Sequence, residues 1–202
     1  MEACARRVLR YLFGTKELGV SYAPVREKGF RLEYTQILEG GKESFPLFHT
    51  FADASFASCS KSKKSTTGAI ILYKSCPIMW RSKRQTVRAY STMESEWIAA
   101  SDSLSMVTEL GFLGFYDKEP HSLKDGTGLP SSMWLWCDNQ SAIVAAQSEE
   151  INPRSRHFAL RYLRVRDEGR RLRFCKTDLQ RADGLTKNVS SKARNMLLGW
   201  KV

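Results

Sequence analysis

The chain has 202 residues and carries 32 Lys and Arg against 21 Asp and Glu, a formal charge of +11 with an isoelectric point near 9.6. With 42% apolar and 26% charged residues it has the balance of a globular protein of one or two domains, which excludes wholesale disorder. No apolar run reaches the roughly 18 residues that span a bilayer, and the opening MEACARRVLRYLFG lacks the apolar stretch of a secretory signal, so neither a membrane protein nor a secreted one is expected. Five cysteines, at 4, 59, 76, 137 and 175, are too scattered for a zinc clip. They read as free thiols of an intracellular protein, cytoplasmic or nuclear.

Residues 3–13 read as a short helix closed by Gly14, with Val8, Tyr11 and Leu12 on its apolar side. Residues 24–46, broken by Gly40-Gly41 and Pro46, read as a connector with one candidate strand at 30–36. The alternation from Leu47 predicts a strand ending near Asp53. The turn SKSKKSTTG follows, then a buried strand at 69–73, a turn at Ser75-Cys76-Pro77 and a third strand at 78–84. Ser91-Thr92 offers an N-cap for a helix beginning near Met93, in which Met93, Trp97, Ala100, Leu104 and Val107 form one stripe. After a polar loop at 117–132, MWLWC (133–137) is the continuous apolar run of a strand buried on both faces, and it ends on Asp138. Helices at 139–147 and 155–168, a strand at 171–175 and a last helix starting near Gln180 and carrying Asp183 complete the order βββ-α-β-α-α-β-α. Such an order predicts an α/β fold with a mixed sheet flanked by helices. Trp80, Trp97, Trp134 and Trp136 fall in strand or helix patterns and read as core.

The charge is clustered. Residues 59–88 hold eight bases and no acid, and residues 151–176 hold nine bases against Asp167 and Glu168. Two such runs are the electrostatic footprint of a protein that meets a polyanion. Asp53 and Asp138 each stand where a strand ends, the place where α/β sheets gather ligands. If those strands are parallel neighbours, the two carboxylates meet, and they repel unless protonated or bridged by a hard cation such as Mg²⁺.

The stretch FADASFASCSKSKKSTTGAIILYKSCPIMWRSKRQTVRAYSTMESEWIAAS resembles the ribonuclease H domain of Copia-type (Pseudoviridae) retrotransposon polyproteins. The likeness continues through WCDNQSAI, SRHFALRYLRVRDEG and RADGLTK, and RRVLRYLFGTKELGVSY at 6–22 resembles the end of the preceding reverse transcriptase domain. The resemblance implies a reverse transcriptase tail and connector at 1–46, a ribonuclease H domain at 47–190 and a C-terminal tail at 191–202. It also implies a ribonuclease H-like fold with a five-stranded sheet in the order 3-2-1-4-5. Its implied site holds two Mg²⁺ ions, with Mn²⁺ as a substitute, and cuts the RNA strand of RNA–DNA hybrids, leaving a 5′-phosphate and a 3′-hydroxyl. Carried over position by position, the catalytic, metal-holding residues are Asp53 of FADAS, Glu96 of SEWIAA, Asp138 of CDNQS and Asp183 of RADGLTK. The implied partners are the hybrid and the reverse transcriptase of the same polyprotein, inside the cell or within virus-like particles.

Glu94 competes with Glu96 for the helix position. At about 100° per residue, Glu96 lies about 60° from the centre of the apolar stripe and Glu94 about 100°, so Glu96 borders the sheet. Glu94 then reads as a first-turn acid favoured by the helix dipole. An RNA strand is distinguished by its 2′-hydroxyls in a wide minor groove, for which Ser91, Thr92, Asn139 and Gln140 are candidates. Gln140 is preferred, and Asn139 reads equally well as a helix cap. Lys61, Lys63, Lys64, Arg81, Lys83 and Arg84 are candidates for gripping phosphates. The loop KTDLQ lacks the histidine that many cellular and retroviral relatives carry there, so His157 reads as structural or phosphate-contacting, and His49 and His121 have no matching role. Phe56 replaces the usual Trp after Asp-Ala-Asp. Two other readings stay open: an inactive relative that binds hybrid without cutting it, and an integrase-like enzyme that joins DNA strands.

Overall fold

The computed structural model describes residues 2–17, 19–20, 22–35, 45–115, 129–130, 132–148 and 159–187. Two helices, α1 (Glu2–Gly14) and α2 (Pro24–Thr35), precede three strands, β1 (Phe48–Ser55), β2 (Thr66–Tyr73) and β3 (Cys76–Arg84). Helix α3 (Thr92–Phe112), strand β4 (Met133–Cys137), helices α4 (Gln140–Gln147) and α5 (Ala159–Asp167), strand β5 (Leu172–Phe174) and the one-turn α6 (Asp183–Thr186) follow. The five strands form one sheet in the order β3-β2-β1-β4-β5. β1–β2 and β2–β3 are antiparallel, whereas β1–β4 and β4–β5 are parallel. Among the described residues no helix is long and apolar enough to cross a membrane.

The central strands are buried on both faces, which is why β4 is a continuous apolar run and β1 buries seven of its eight residues. On one face α3 packs Leu104 and Val107 with Phe48, Ile71 and Leu135. On the other, Phe30 and Tyr34 of α2 pack with Phe51, Ile70, Leu72 and Trp136. Residues 30–35 are therefore helix rather than the strand expected at 30–36. Phe30, Leu32 and Tyr34 alternate like a strand, yet only Phe30 and Tyr34, four apart on one helical face, are buried, while Leu32 is 66% exposed. The core thus reaches back across residue 46. Helix α1 forms as expected, but Val8 and Leu12 are exposed and α1 buries none of its residues.

Other differences are local. Lys74 and Ser75 have φ of 47° and 68°, a two-residue turn with both centres left-handed, so Cys76 and Pro77 lie in β3 rather than in the turn. Trp80 is 51% exposed because β3 is an edge strand, so it is not a core residue, unlike Trp97, Trp134 and Trp136. Helix α5 is described from Ala159, and the start expected at 155 lies outside the described residues. His49 has a structural role. Its Nδ1 accepts from Trp136 Nε1 at 3.1 Å and its Nε2 meets Pro46 O at 2.9 Å, while burial pulls its pKa down to about 3 and keeps the ring neutral.

Helix α6 begins at Asp183, three residues later than expected, and is held by the sheet. Gln180 Nε2 donates to Ala52 O at 2.9 Å, Gln180 Oε1 accepts from Ala182 N at 3.2 Å, and Ser82 Oγ donates to Leu185 O at 2.5 Å. Gly68 of β2 makes the close approach possible: a Cβ there would stand 2.6 Å from Thr186 Cγ2 and 2.8 Å from Ala182 O. Gly68→Ala should lower stability by about 1–3 kcal/mol, the cost of overpacking, measured by urea denaturation. An unchanged midpoint would show that α6 is not seated on Gly68.

Candidate metal centre

Asp53 lies within β1, two residues before its end, and is buried. By the two-residue period of a strand it shares the α2 and α6 face with Phe51. Glu96 comes from the first turns of α3 on the opposite face and is 8% exposed. Asp138 follows β4 directly, and Asp183 opens α6. Ligand atoms of Asp53, Asp138 and Asp183 lie within 4.8 Å of one another, as do those of Glu96, Cys137 and Asp138. Asp138 belongs to both groups and links the two faces. The four carboxylates picked out in the sequence are thus brought together.

Burial, reinforced by Asp53 and Asp138, pushes the Glu96 carboxyl up to about 9. Asp53 is pushed up to about 6, by burial first and then by Asp183 and Asp138, against the Thr186 hydroxyl and the Lys187 ammonium. Three groups without an assigned role in the sequence support the cluster. Thr177 Oγ1 donates to Asp138 Oδ2 at 3.0 Å, Thr186 Oγ1 donates to Asp53 Oδ2, and Lys187 Nζ lies 2.7 Å from Asp183 Oδ1 and 3.6 Å from Asp53 Oδ1. The available signal was spacing: Thr186 and Lys187 stand three and four residues after Asp183, one helical turn away. The donor set fits a divalent ion. Its oxygens are hard ligands, and Glu96 Oε2 is buried without a hydrogen-bond partner among the described residues. Cys137 is a soft donor and does not suit Mg²⁺.

Glu94 and Glu96 have separate surroundings. Ser91 caps α3 by accepting from Glu94 N at 3.1 Å, and Glu94 Oε2 accepts from Tyr90 N at 2.7 Å. Asn139 caps α4, accepting from Ala142 N at 3.0 Å, while Thr92 and Gln140 are exposed at the helix starts. The six bases do not form one row. Lys61, Lys63 and Lys64 lie in the β1–β2 loop, where Lys64 Nζ donates to Thr86 O at 2.5 Å. Arg81 pairs with Glu109 of α3 at 3.2 Å, and strand alternation puts Lys83 on that face but Arg84 with Ser82 on the other. Arg81 and Lys83 join Arg161 and Arg164 of α5 around the half-buried Asp102, whose pKa burial raises against these four charges. The arginines of α5 extend the basic surface beyond the six expected residues. His157 and His121 lie outside the described residues.

The strand order and directions, with carboxylates gathered at the end of the parallel pair, are those of the ribonuclease H-like class. No family model matches the chain. The chain belongs to the family of Copia-type, retrovirus-related Pol polyproteins, and the relatives it matches include those of plant transposons. It is 30% identical over 158 residues to the retrovirus-related Pol polyprotein from transposon TNT 1-94 of Nicotiana tabacum, covering 74% of this chain. It is 28% and 27% identical over 199 residues, 93% of this chain, to those from transposons RE2 and RE1 of Arabidopsis thaliana. The chain spans 11% of the length of each. Among solved structures, the N-terminal RNase H domain of rv2228c from Mycobacterium tuberculosis, a fusion with maltose-binding protein, superposes with a TM-score of 0.47 at 11% identity, covering 73% of this chain and 96% of that one.

The raised Glu96 pKa has a sign that stability measurements can read. Between its ordinary value of 4.5 and about 9 the folded state binds more protons than the unfolded state, so this residue makes stability fall as pH rises. His49 acts in the opposite sense, between about 3 and 6.5, and is silent above that window. In EDTA, urea midpoints should therefore fall from pH 7 to 8.5, and Glu96→Gln should flatten the fall. Parallel curves for the two proteins would contradict the buried, crowded placement of Glu96.

Proposed function

We propose that the chain is the ribonuclease H unit of a retrotransposon Pol polyprotein and cuts the RNA strand of RNA–DNA hybrids. The observation that carries this reading is the convergence of Asp53 from β1, Glu96 from α3, Asp138 from the end of β4 and Asp183 from α6 on a single cluster. The unit takes in α2, because Phe30 and Tyr34 fill one face of its sheet, and the segment ahead of α2 is left to the reverse transcriptase.

In this reading Asp53, Glu96, Asp138 and Asp183 hold two divalent ions, Mg²⁺ by the hardness of the donors. When bound, such a pair lowers the pKa of an attacking water and neutralises charge on the leaving 3′-oxygen. Thr177 and Thr186 fix the orientation of Asp138 and Asp53 through their hydroxyls. Gln140, exposed two residues beyond Asp138, presents a side-chain amide able to meet a 2′-hydroxyl, the group that distinguishes the RNA strand. The bases of the β1–β2 loop, β3 and α5 supply attraction for the phosphate backbones.

The test is cleavage of a hybrid labelled on its RNA strand. Mg²⁺ should support cutting and EDTA abolish it. Asp138→Asn should lower the rate by more than about 100-fold, since even groups that only orient metal ligands cost 10–100-fold. Cutting in EDTA, or an undiminished rate in Asp138→Asn, would overturn the metal mechanism, and tight hybrid binding without cutting would select the inactive, hybrid-holding reading. Hybrid affinity measured across salt concentrations should follow a log–log slope of about −4, the value for about five neutralised phosphates. A flat dependence would remove the basic surface from the binding reading.

A further inference from the structure

The two halves of the carboxylate cluster differ in how they are compensated. In the half formed by Asp53, Asp138 and Asp183, the Lys187 ammonium donates to Asp183 Oδ1 at 2.7 Å and lies 3.6 Å from Asp53 Oδ1. The other oxygen of Asp53 accepts from Thr186. In the half formed by Glu96, Cys137 and Asp138, Glu96 Oε2 is buried and has no hydrogen-bond partner among the described residues. One half thus contains a cation in contact with two of its carboxylates, whereas Glu96 meets that charge only from a distance and keeps one buried oxygen without a partner among the described residues.

Lys187 is delivered to this position by the fold. Its backbone N–H closes the α6 turn on Asp183 O at 2.9 Å, and α6 is seated on the sheet through Gly68, Ser82 and Gln180. The side chain is 40% exposed, so its ammonium has a path to water. A divalent ion entering between Asp53 and Asp183 meets a positive charge already in contact with both. It must displace that charge, and releasing an ammonium into water is an exchange of one counter-cation for another.

We propose that Lys187 is an internal counter-cation. It holds the Asp53–Asp183 half of the cluster together and is displaced when a divalent ion enters, which makes that half the weaker of two ion positions. Ion loading is then stepwise: the position shared by Glu96 and Asp138 fills first, and the position guarded by Lys187 fills at higher ion concentration. The inference rests on the two-ion reading above, but its consequences for binding and stability are read without any nuclease assay.

The experiment uses the full chain and Mn²⁺ as the probe, with free Mn²⁺ counted by electron paramagnetic resonance. The parent should show a tight and a weak class of site. Lys187→Met and Lys187→Gln should tighten the weak class by about tenfold, the scale expected for removing a competing unit charge at a half-exposed site, while Lys187→Arg should leave it weak. In EDTA, the two uncharged variants should melt below the parent and the Arg variant should not. Unchanged Mn²⁺ affinity in the uncharged variants would overturn the proposal while leaving the nuclease reading intact. A parent that binds no Mn²⁺ would overturn the two-ion reading and the displacement step with it.

Discussion

Four carboxylates in one small volume repel one another, and burial strengthens the repulsion by withdrawing water. Its imprint is visible in the upward displacement of Glu96 and Asp53. The surrounding chain answers with a hydroxyl on Asp138, a hydroxyl on Asp53 and an ammonium between Asp53 and Asp183. Glu96 receives less, since one of its oxygens is buried without a partner among the described residues. The site is therefore a stored electrostatic imbalance, and the rest of the fold provides the packing that tolerates it.

The parallel register of β1 and β4 aligns the first two acids. The last paired residues are Phe51 and Trp136, and Asp53 and Asp138 each stand two positions beyond that pair. A strand advances about 3.3 Å per residue, so a two-residue slip would part them by roughly 7 Å, and a one-residue slip would turn β1 over. Aromatic packing on the α2 face secures the register. Phe51 and Trp136 stack with ring centroids 5.9 Å apart, Tyr34 sits 5.0 Å from Trp136, and the Trp136 indole donates to His49. Helix α2 thus bears on the site although none of its residues enters it.

What was legible in the sequence followed strong local signals. MWLWC could only be a strand buried on both faces, and Ser91 announced the start of α3. The alternation of Phe30, Leu32 and Tyr34 misled because a short window cannot separate a period of 2 from two apolar residues four apart. Trp80 misled because strand alternation gives the face of a strand and not its place in the sheet. Spacing alone placed only Asp53 and Asp138 as a possible pair. Glu96 and Asp183 joined them through the family resemblance, since convergence across 130 positions (53 to 183) is a property of topology. Thr177, Thr186 and Lys187 escaped notice because short hydroxyls and a single lysine carry no pattern of their own.

The fourth acid depends most on tertiary structure. A four-residue helix cannot sustain itself, because nucleation costs more than one turn of hydrogen bonds returns. Asp183 stays in place because Gln180 reaches the β1 backbone, Ser82 holds Leu185, and Gly68 leaves room for Thr186. Each of these contacts is made to the β1–β2–β3 meander. The fourth carboxylate is consequently held in the cluster by the sheet and not by its own helix, and the segment that supplies it brings with it the lysine that offsets its charge.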